Sequence, residues 1–453
     1  MAIRRRTLTF ETLVQFLAAL MLYTLFLWPK YISIPLGPLR LSPYNLAVIG
    51  AFAMAVIAIF VRKAPSRIPP LAGMAMGLFL VFFATRFLSD GFSSTKGASF
   101  YSEARFLIWT CAVFPIAVVL YARTDDLSKI GDAICVCMVV VSGAVLLEVA
   151  LHTVFPAIVL PHIAGIGLDD EFKTMLLRDK SRDGGFRAQG LFNHPIVLGQ
   201  IGAAMLPLAL ARLMSRSRRK LHLVTIASCL IAIAFCGART GQVAAVVGLV
   251  AFGTFLIVQS RSKSLWALSI IVLPIATAIV TSAYAYVAEL VVGRTAIEQG
   301  SSEVRAMMWM RGWPAIWEKP VFGHGAGNAP FIAGTIGGNG VRTIDDFYLS
   351  LLVDTGFAGL FAFGAFAAMV LFSSLAAKGS AEQRRLRVAL MAGIVAILAA
   401  QKAVSITQGI GIFMFLSGLL LASQIHPARR GGKARLVRQP VLPASPGASP
   451  ALA

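Results

Sequence analysis

The sequence predicts an all-α, polytopic integral membrane protein, on the strength of three observations. Of the 453 residues, 57% are hydrophobic and 13% are charged, whereas a soluble domain carries about 25% charged residues. Apolar stretches of about 20 residues, the length of a membrane-crossing helix, recur along the whole chain. They lack the alternating pattern of outer-membrane barrel strands. Each stretch is therefore expected to be a helix whose backbone groups bond within the segment.

We expect about twelve transmembrane helices, with a large external loop between the ninth and the tenth. The first apolar stretch follows a run of arginines that resembles the start of a signal peptide. It is long enough to span, and a second span follows soon after, so it is interpreted as an uncleaved helix. The predicted spans cover residues 10–28, 44–61, 70–88, 105–122, 130–155, 191–211, 221–236, 240–258, 265–287, 347–372, 388–404 and 407–424.

The net charge is +21, from 41 Lys and Arg against 20 Asp and Glu. In a soluble protein this excess would suggest nucleic acid. Here the basic residues cluster in alternate short loops between the predicted spans, as cytoplasmic loops do beside anionic lipid headgroups. The sequence therefore predicts a multi-pass protein of a bacterial inner membrane with both termini in the cytoplasm. It argues against nucleic acid as a partner and for membrane lipids as neighbours.

Four regions follow from this arrangement. Residues 1–190 hold N-terminal transmembrane helices and a first long external loop, and residues 191–372 form a core with the large external loop at about 288–346. Residues 373–426 hold the C-terminal transmembrane helices, and residues 427–453 form a basic, then Pro/Ala-rich cytoplasmic tail that is expected to be disordered. Long ordered loops on one face usually carry function. We therefore expect the chemistry at the outer face, where ATP is absent.

Three arginines are candidates for binding phosphate. Arg239 lies in the short external turn Gly237–Gly241 between two apolar helices, with no other charge beside it. Arginine at a membrane edge is costly and suggests function, and its guanidinium fits phosphate bidentately. The alternative is an arginine that reaches the headgroups or ties the turn. Arg187 and Arg305, near the ends of the two long loops, are either solvated loop charges or members of a cationic cluster with Arg239.

Trp309, Trp313 and Trp317 recur at every fourth residue and share one helical face, and Arg305 lies one step earlier on that face. The pattern predicts an amphipathic helix in the outer membrane interface, with indoles at headgroup depth. The helix either presents Arg305 and Trp309 to a lipid-linked substrate or anchors and packs only.

Two histidines lie beside backbone features. His324 is inside a glycine-rich turn that follows no predicted strand, so the turn is not a dinucleotide fingerprint. It is a flexible turn in which His324 is either a base or ligand, or an exposed turn residue. His194 precedes Pro195 at a predicted helix start and is either a structural residue there or a substrate contact.

Asp345 and Asp346 lie where the large external loop re-enters the membrane. Adjacent carboxylates at this position cap the tenth helix, where negative charge suits the helix dipole. The alternative is a general base for a sugar hydroxyl.

Taken together, these segments resemble the O-antigen ligase and Wzy-type polysaccharide polymerase superfamily over about residues 185–360. Each motif is weak alone, but their order and spacing around one large external loop are specific. The ligases have a histidine at the position of Asp345, so this chain looks more like the polymerases. The matching segments are Gly190–Pro195, Gly237–Gly241, Arg305 with Trp309, Pro320–Gly325, Asp345–Leu349 and Gly356–Gly359.

The resemblance implies an inverting glycosyl transfer that uses neither a metal nor a cofactor. The substrate would be an oligosaccharide on undecaprenyl diphosphate, and a chain-length regulator and a flippase are further partners to consider. The external arginine set lies beside the acidic re-entry point, so we expect Arg187, Arg239 and Arg305 to hold the diphosphate. Asp345 or Asp346 would orient or deprotonate the acceptor hydroxyl. The predicted catalytic residues are Arg239, Arg305, Asp345 and Asp346, and the predicted substrate-binding residues are Arg187, His194, Trp309, His324 and Tyr348.

We therefore predict an exopolysaccharide or O-antigen polymerase. One alternative is a ligase that moves the glycan to lipid A-core or to a protein, since only the acceptor differs. Another is a transporter of lipid-linked glycans, which twelve spans would also suit. A transporter predicts charged residues that line a central cavity across the membrane. The charges within the predicted spans are scattered, with candidates at Arg86, Glu148 and Lys402.

Overall fold

A computed structural model describes most of the chain. The described residues are 9–29, 32–36, 39–61, 68–123, 127–159, 177, 181, 185–215, 217–260, 296–336 and 342–425. Nine helices in those ranges are long and apolar enough to cross a membrane. The protein is therefore an all-α, multi-pass membrane protein, as the composition predicts.

The N-terminal half of the described chain contains two short antiparallel strands among its helices. Ile34 of the first strand pairs with Leu41 of the second. The elements are α1 (Phe10–Leu27), β1 (Ile34–Leu36), β2 (Leu39–Leu41), α2 (Pro43–Val61), α3 (Pro70–Gly91), α4 (Lys96–Phe106), a π-helical turn (Leu107–Cys111), α5 (Val113–Tyr121), α6 (Leu127–Leu151) and α7 (Phe155–Val159).

The C-terminal half contains further long helices. A two-residue strand pair, β3 with β4, lies between α12 and α13. The elements are α8 (Pro195–Met214), α9 (Arg219–Phe235), α10 (Arg239–Gln259), α11 (Ala296–Glu318), α12 (Ala329–Ile332), β3 (Thr335–Ile336), β4 (Arg342–Thr343), α13 (Phe347–Ala376), α14 (Ala381–Ala400), a 3₁₀ turn (Gln401–Ala403) and α15 (Thr407–Ala422).

Each predicted span except the ninth coincides with a described helix. The ninth, at 265–287, lies outside the described residues, so the count of twelve and the four regions stay predictions. Proline begins α2, α3 and α8, where its missing N–H costs nothing and its fixed φ suits the first turn. A capping box of Ser380 and Gln383 begins α14.

One apolar core joins the helices, and α13 lies at its centre. Phe363 of α13 packs against Phe82 of α3 at 5.4 Å and against Phe413 of α15 at 5.4 Å between ring centroids. Phe366, one turn on, meets the ring of Phe114 edge-on at 5.0 Å. Aromatic pairs at these distances add to the burial of their surface, and they hold the part of α13 that follows Gly356 in place.

A kink at Gly356 divides α13, because this residue has φ 64° and ψ −167°. The N–H of Phe357 then bonds to the carbonyl of Pro320 at 2.8 Å, and that of Ala358 to Val321 at 3.1 Å. The segment that follows α11 therefore docks onto the kink. A second apolar cluster, which includes Met308, Ile316, Leu349, Leu352 and Val353, packs α11 and α12 against the part of α13 that precedes the kink.

The opposite end of the bundle holds an ion-pair cluster. Arg212 lies 2.8 Å from Asp132 and 2.8 Å from Glu382, joining α6, α8 and α14. The distribution of basic loops predicts that this end faces the cytoplasm. The kink and the external segment then lie toward the outer face.

Candidate functional site

Asp346 is the N-cap of α13 and is 2% exposed. Its Oδ1 accepts hydrogen bonds from the backbone N–H groups of Tyr348 and Leu349, at 2.9 and 3.1 Å. Its Oδ2 accepts from the indole Nε1 of Trp309 and from the ammonium of Lys402, each at 2.7 Å. Both carboxylate oxygens are therefore engaged, and the residue links α11, α13 and the end of α14.

Lys402 contacts the indole of Trp309, and Arg305 lies one turn before Trp309 on α11. The ammonium of Lys402 lies 4.2 Å from the centre of the indole ring, as in a cation–π contact. The buried Nε of Arg305 has no hydrogen-bond partner within the described ranges. We call Arg305, Trp309, Asp346 and Lys402 the Asp346 cluster. It is the place where the sequence-predicted arginine, tryptophan and aspartate come together.

Asp345 and Tyr348 lie beside this cluster and are half-buried. The backbone N–H of Asp345 contacts the Sδ of Met308 at 3.3 Å. The hydroxyl of Tyr348 donates to the carbonyl of Leu398 on α14 at 2.7 Å. The two adjacent aspartates thus differ in environment, since only Asp346 is buried in the cap.

Arg187 lies against the turn that leads to Arg239. Its Nε donates to the carbonyl of Cys236 at 3.0 Å, and a Cβ at Gly237 would lie 2.8 Å from its Cγ. Arg239 is the first residue of α10 and is half-buried. Glu148 shapes the same region, because its Oε2 accepts from the N–H groups of Gln189 and Gly190, the two residues that follow Ala188.

A cavity of about 1460 Å³ with a mixed polar and apolar lining lies between α2, α4 and α13, with Arg86 of α3 in its wall. Its wall comes close to the Asp346 cluster, because Ile344, Phe347 and Ser405 lie within three residues of Asp346 or Lys402 in the chain. Hydroxyl, amide and aromatic groups dominate the lining. Its lining includes Ser33, Ser42, Tyr44, Asn45, Thr95, Tyr101, Ser102, Arg105, Trp109, Asn328, Phe331, Ile344, Phe347, Ser350, Asp354, Ser405 and Thr407.

A buried ion pair forms part of the same wall. The Nε and Nη2 of Arg86 donate to the two carboxylate oxygens of Glu103 at 2.7 and 2.6 Å. This bidentate geometry neutralises both groups and is the strongest form of such a contact. Arg105 is then the exposed cation of the cavity, lying over the ring of Tyr101 at 5.6 Å.

Residues 223–364 match the family model described as O-antigen ligase. This part of the chain is O-antigen ligase-related. No curated protein matches the chain. The match supports a membrane glycan-processing enzyme of the ligase or polymerase kind, a family that acts on lipid-linked oligosaccharide.

The O-antigen ligase-related stretch contains only part of the site. Arg239, Arg305 and Asp346 lie inside it, whereas Arg187 and Lys402 lie outside it. The cavity wall from α3 and α4 also lies outside. The site is therefore assembled from the matched stretch and from helices on both sides of it.

His194 and His324 both form hydrogen bonds with the protein backbone. His194 is the N-cap of α8, and its Nδ1 accepts from the N–H of Ile196 at 3.2 Å. The Nε2 of His324 lies 2.9 Å from the carbonyl of Ala315. The predicted roles of these histidines in binding substrate stay predictions.

The glycine-rich turn binds carboxylates of the protein itself. The N–H of Ala326 donates to Asp90 at 2.8 Å. Asp354 accepts from the N–H groups of Gly327 and Ala329, at 3.2 and 2.7 Å. Successive N–H groups of such turns form sites for anions. In this structure the carboxyl groups of Asp90 and Asp354 take that place, so the turn is occupied rather than open to a substrate phosphate.

Sequence analysis missed Tyr101 and Arg105 and gave Arg86 and Lys402 only as scattered charges. One available signal was Arg86, since an arginine inside an apolar span suggests function by default. In the described chain no three His, Cys, Asp or Glu side chains come together to hold a metal ion. The metal-independent reaction stays a prediction.

Proposed function

We propose that this protein polymerises undecaprenyl-diphosphate-linked oligosaccharide repeats at the outer face of the inner membrane, by an inverting, metal-independent transfer. The observation that carries the proposal is the cavity with a mixed polar and apolar lining, whose wall includes residues next to the Asp346 cluster. A cavity of that size and lining suits sugar rings, since aromatic faces and hydroxyl groups line it together. The adjoining cations suit a diphosphate.

In the proposed reaction, a hydroxyl at the non-reducing end of a new lipid-linked repeat attacks the anomeric carbon of the growing chain. The new glycosidic C–O bond forms as the bond from that carbon to the phosphate oxygen breaks. The lipid diphosphate leaves with the bonding electron pair, and the hydroxyl proton passes to a carboxylate. Cations beside the diphosphate stabilise the charge that develops on it.

Asp345 is the better candidate for that carboxylate. A general base must reach the proton that it accepts, and both oxygens of Asp346 already accept hydrogen bonds from Tyr348, Leu349, Trp309 and Lys402. In this proposal Asp345 takes the proton, and Asp346 positions its neighbours.

The diphosphate would be held by Arg187, Arg239 and Arg305. Support for Arg305 comes from its buried Nε, which has no hydrogen-bond partner in the described chain. Support for the other two comes from the packing of Arg187 against the Gly237 turn, immediately before Arg239. That packing fixes the start of α10 and the direction in which it leaves the turn.

Transfer to lipid A-core or to a protein is the second candidate, because the matching family model is described as O-antigen ligase. Transport is less well supported. A transport path needs charges that line the membrane interior. The three candidates bond at one end of the bundle, Arg86 with Glu103, Glu148 with backbone N–H groups and Lys402 with Asp346.

The test is a gel of lipid-linked glycan from cells without the gene, complemented with the native protein, with Arg239→Ala or with Arg311→Ala. Arg311 is a matched control, an exposed arginine on α11 that bonds only to the carbonyl of Gly334 among the described residues. We expect loss of the gene and Arg239→Ala to reduce the ladder to single repeats on their lipid, and Arg311→Ala to preserve it. Full-length chains that stay on the lipid would instead identify a ligase.

A further inference from the structure

Lys402 is the exposed cation of the Asp346 cluster. It lies in the 3₁₀ turn between α14 and α15, outside the matched stretch. Its side chain is 60% exposed, whereas that of its partner Asp346 is 2% exposed. A lysine ammonium has three N–H donors. Asp346 accepts one at 2.7 Å, which leaves the exposed side of the ammonium facing outward.

This ammonium is held from two directions. Asp346 binds it, and the indole of Trp309 lies under it at 4.2 Å. An exposed lysine in an isolated surface pair gains little from the pair, because ordering a long side chain offsets the attraction. Here the ordering has already occurred within the folded protein. A cation fixed in this way binds an anion with less loss of conformational freedom than a mobile one.

A second cation, Arg305, lies one helical turn before Trp309 on α11. This separation brings Cβ atoms within about 5–6 Å. The Nε of Arg305 is buried and has no hydrogen-bond partner in the ranges that the structure describes. Two cations around one indole, each with donor capacity, match a ligand that carries two adjacent anionic groups.

We propose that Lys402 binds a phosphate group of the lipid-linked diphosphate, together with Arg305. This inference rests on the proposed function for its substrate. The location supports it, because Phe347 and Ser405, which line the cavity, lie within three residues of Asp346 and Lys402 in the chain. Ser405 also bonds through its hydroxyl to the carbonyl of Ile344.

The test measures binding of inorganic pyrophosphate to the full-length protein in nanodiscs of neutral lipid. We expect Lys402→Gln to weaken pyrophosphate binding about tenfold and Lys402→Arg to weaken it less than threefold, because arginine keeps the charge. Lys319→Gln is the matched control. Lys319 directly follows α11 and donates to the carbonyl of Phe92 at 3.2 Å, away from the Asp346 cluster, so its loss should leave the affinity unchanged.

Two results would overturn the inference. If Lys402→Gln and Asp346→Asn lower the melting temperature alike while both keep native pyrophosphate affinity, Lys402 serves the fold only. If Lys402→Gln leaves pyrophosphate affinity unchanged but weakens retention of phosphatidylglycerol in mixed nanodiscs, the lysine binds membrane headgroups and not the diphosphate.

The proposed function can fail separately. If pyrophosphate binding depends on Lys402 while the glycan ladder is unchanged in cells without the gene, the inference is supported and polymerisation is wrong. If the ladder depends on Arg239 but Lys402→Gln leaves pyrophosphate affinity unchanged, polymerisation is supported and the inference is wrong.

Discussion

The ammonium of Lys402 lies 2.7 Å from the carboxylate of Asp346, although 56 positions separate the two residues in the chain. The pair joins the first turn of α13 to the turn that ends α14. Because Trp309 donates to the same oxygen, a third helix is held at this point. Charge, indole and helix cap thus form one arrangement beside the cavity.

The cap and the ion pair at Asp346 can be separated by substitution. Asparagine is a good N-cap, so Asp346→Asn keeps the bonds to the N–H groups of Tyr348 and Leu349 and loses mainly the pair with Lys402. Asp346→Ala loses both. We expect Asp346→Ala to be less stable than Asp346→Asn by about 1 kcal/mol, the usual value of a cap. Thermal unfolding in one detergent measures the difference, and equal melting temperatures would contradict the capping role.

The buried pair of Arg86 and Glu103 predicts strong coupling. Removing one partner leaves the other charge buried and unpaired, at a cost of about 3–5 kcal/mol, whereas replacing both with apolar residues costs much less. We expect Arg86→Met to lower the melting temperature more than the double variant Arg86→Met with Glu103→Met. A double-mutant cycle of unfolding free energies measures the coupling. Additive losses would show that the two side chains do not interact.

Much of the fold could be predicted because its signals are local. Apolar runs of sufficient length indicate helices wherever they occur, and proline at a first turn locates the start of α8. The cap at Asp346 follows from the same local chemistry, since an acidic side chain precedes an apolar run. These features depend on neighbours within a few residues, which the sequence displays directly.

The site was less predictable because it depends on distant pairs. Nothing near Lys402 indicates that Asp346 lies beside it, and nothing near Tyr101 indicates that Ser405 lines the same cavity. The glycine-rich turn illustrates the difficulty. Its composition indicates a tight turn, but its binding to Asp90 and Asp354 depends on the packing of α3 and α13.

The glycine turn should tolerate no side chain at Gly323. This residue has φ 67°, and a Cβ there would lie 2.6 Å from backbone atoms of Asp354 and Gly356. We expect Gly323→Ala to destabilise the protein by several times the roughly 1 kcal/mol of left-handed strain alone. Gly300→Ala is the control, since a Cβ on that helical residue meets nothing within 4 Å. Unfolding measurements should find the control unchanged or slightly more stable.

The cavity can be filled without disturbing the core. Ser350 lines it from α13, and Ser350→Phe would occupy part of its volume. If the cavity holds glycan, we expect glycan transfer to fall at least tenfold while the melting temperature changes little. Ala365→Phe adds the same bulk to an exposed position of the same helix, and it should preserve transfer. The measurement is the glycan ladder per amount of protein. Equal ladders for the native protein and Ser350→Phe would show that the cavity does not hold glycan during transfer.

Buried glutamines supply the last prediction. Gln200 and Gln401 are fully buried, and neither amide atom of either side chain has a hydrogen-bond partner within the described chain. An unsatisfied buried polar group costs about 1–3 kcal/mol, and replacing it with an apolar group of similar shape removes that cost. We therefore expect Gln200→Met and Gln401→Met each to raise the unfolding free energy by about 1 kcal/mol.

Gln424→Met is the matched control, because its amide donates to the hydroxyls of Ser373 and Ser374 at 3.2 and 2.8 Å. That substitution should destabilise by a similar amount. If Gln200→Met also destabilises, its amide is bonded in the membrane to a buried water or to a hydroxyl of the substrate, and the glutamines then belong to the site.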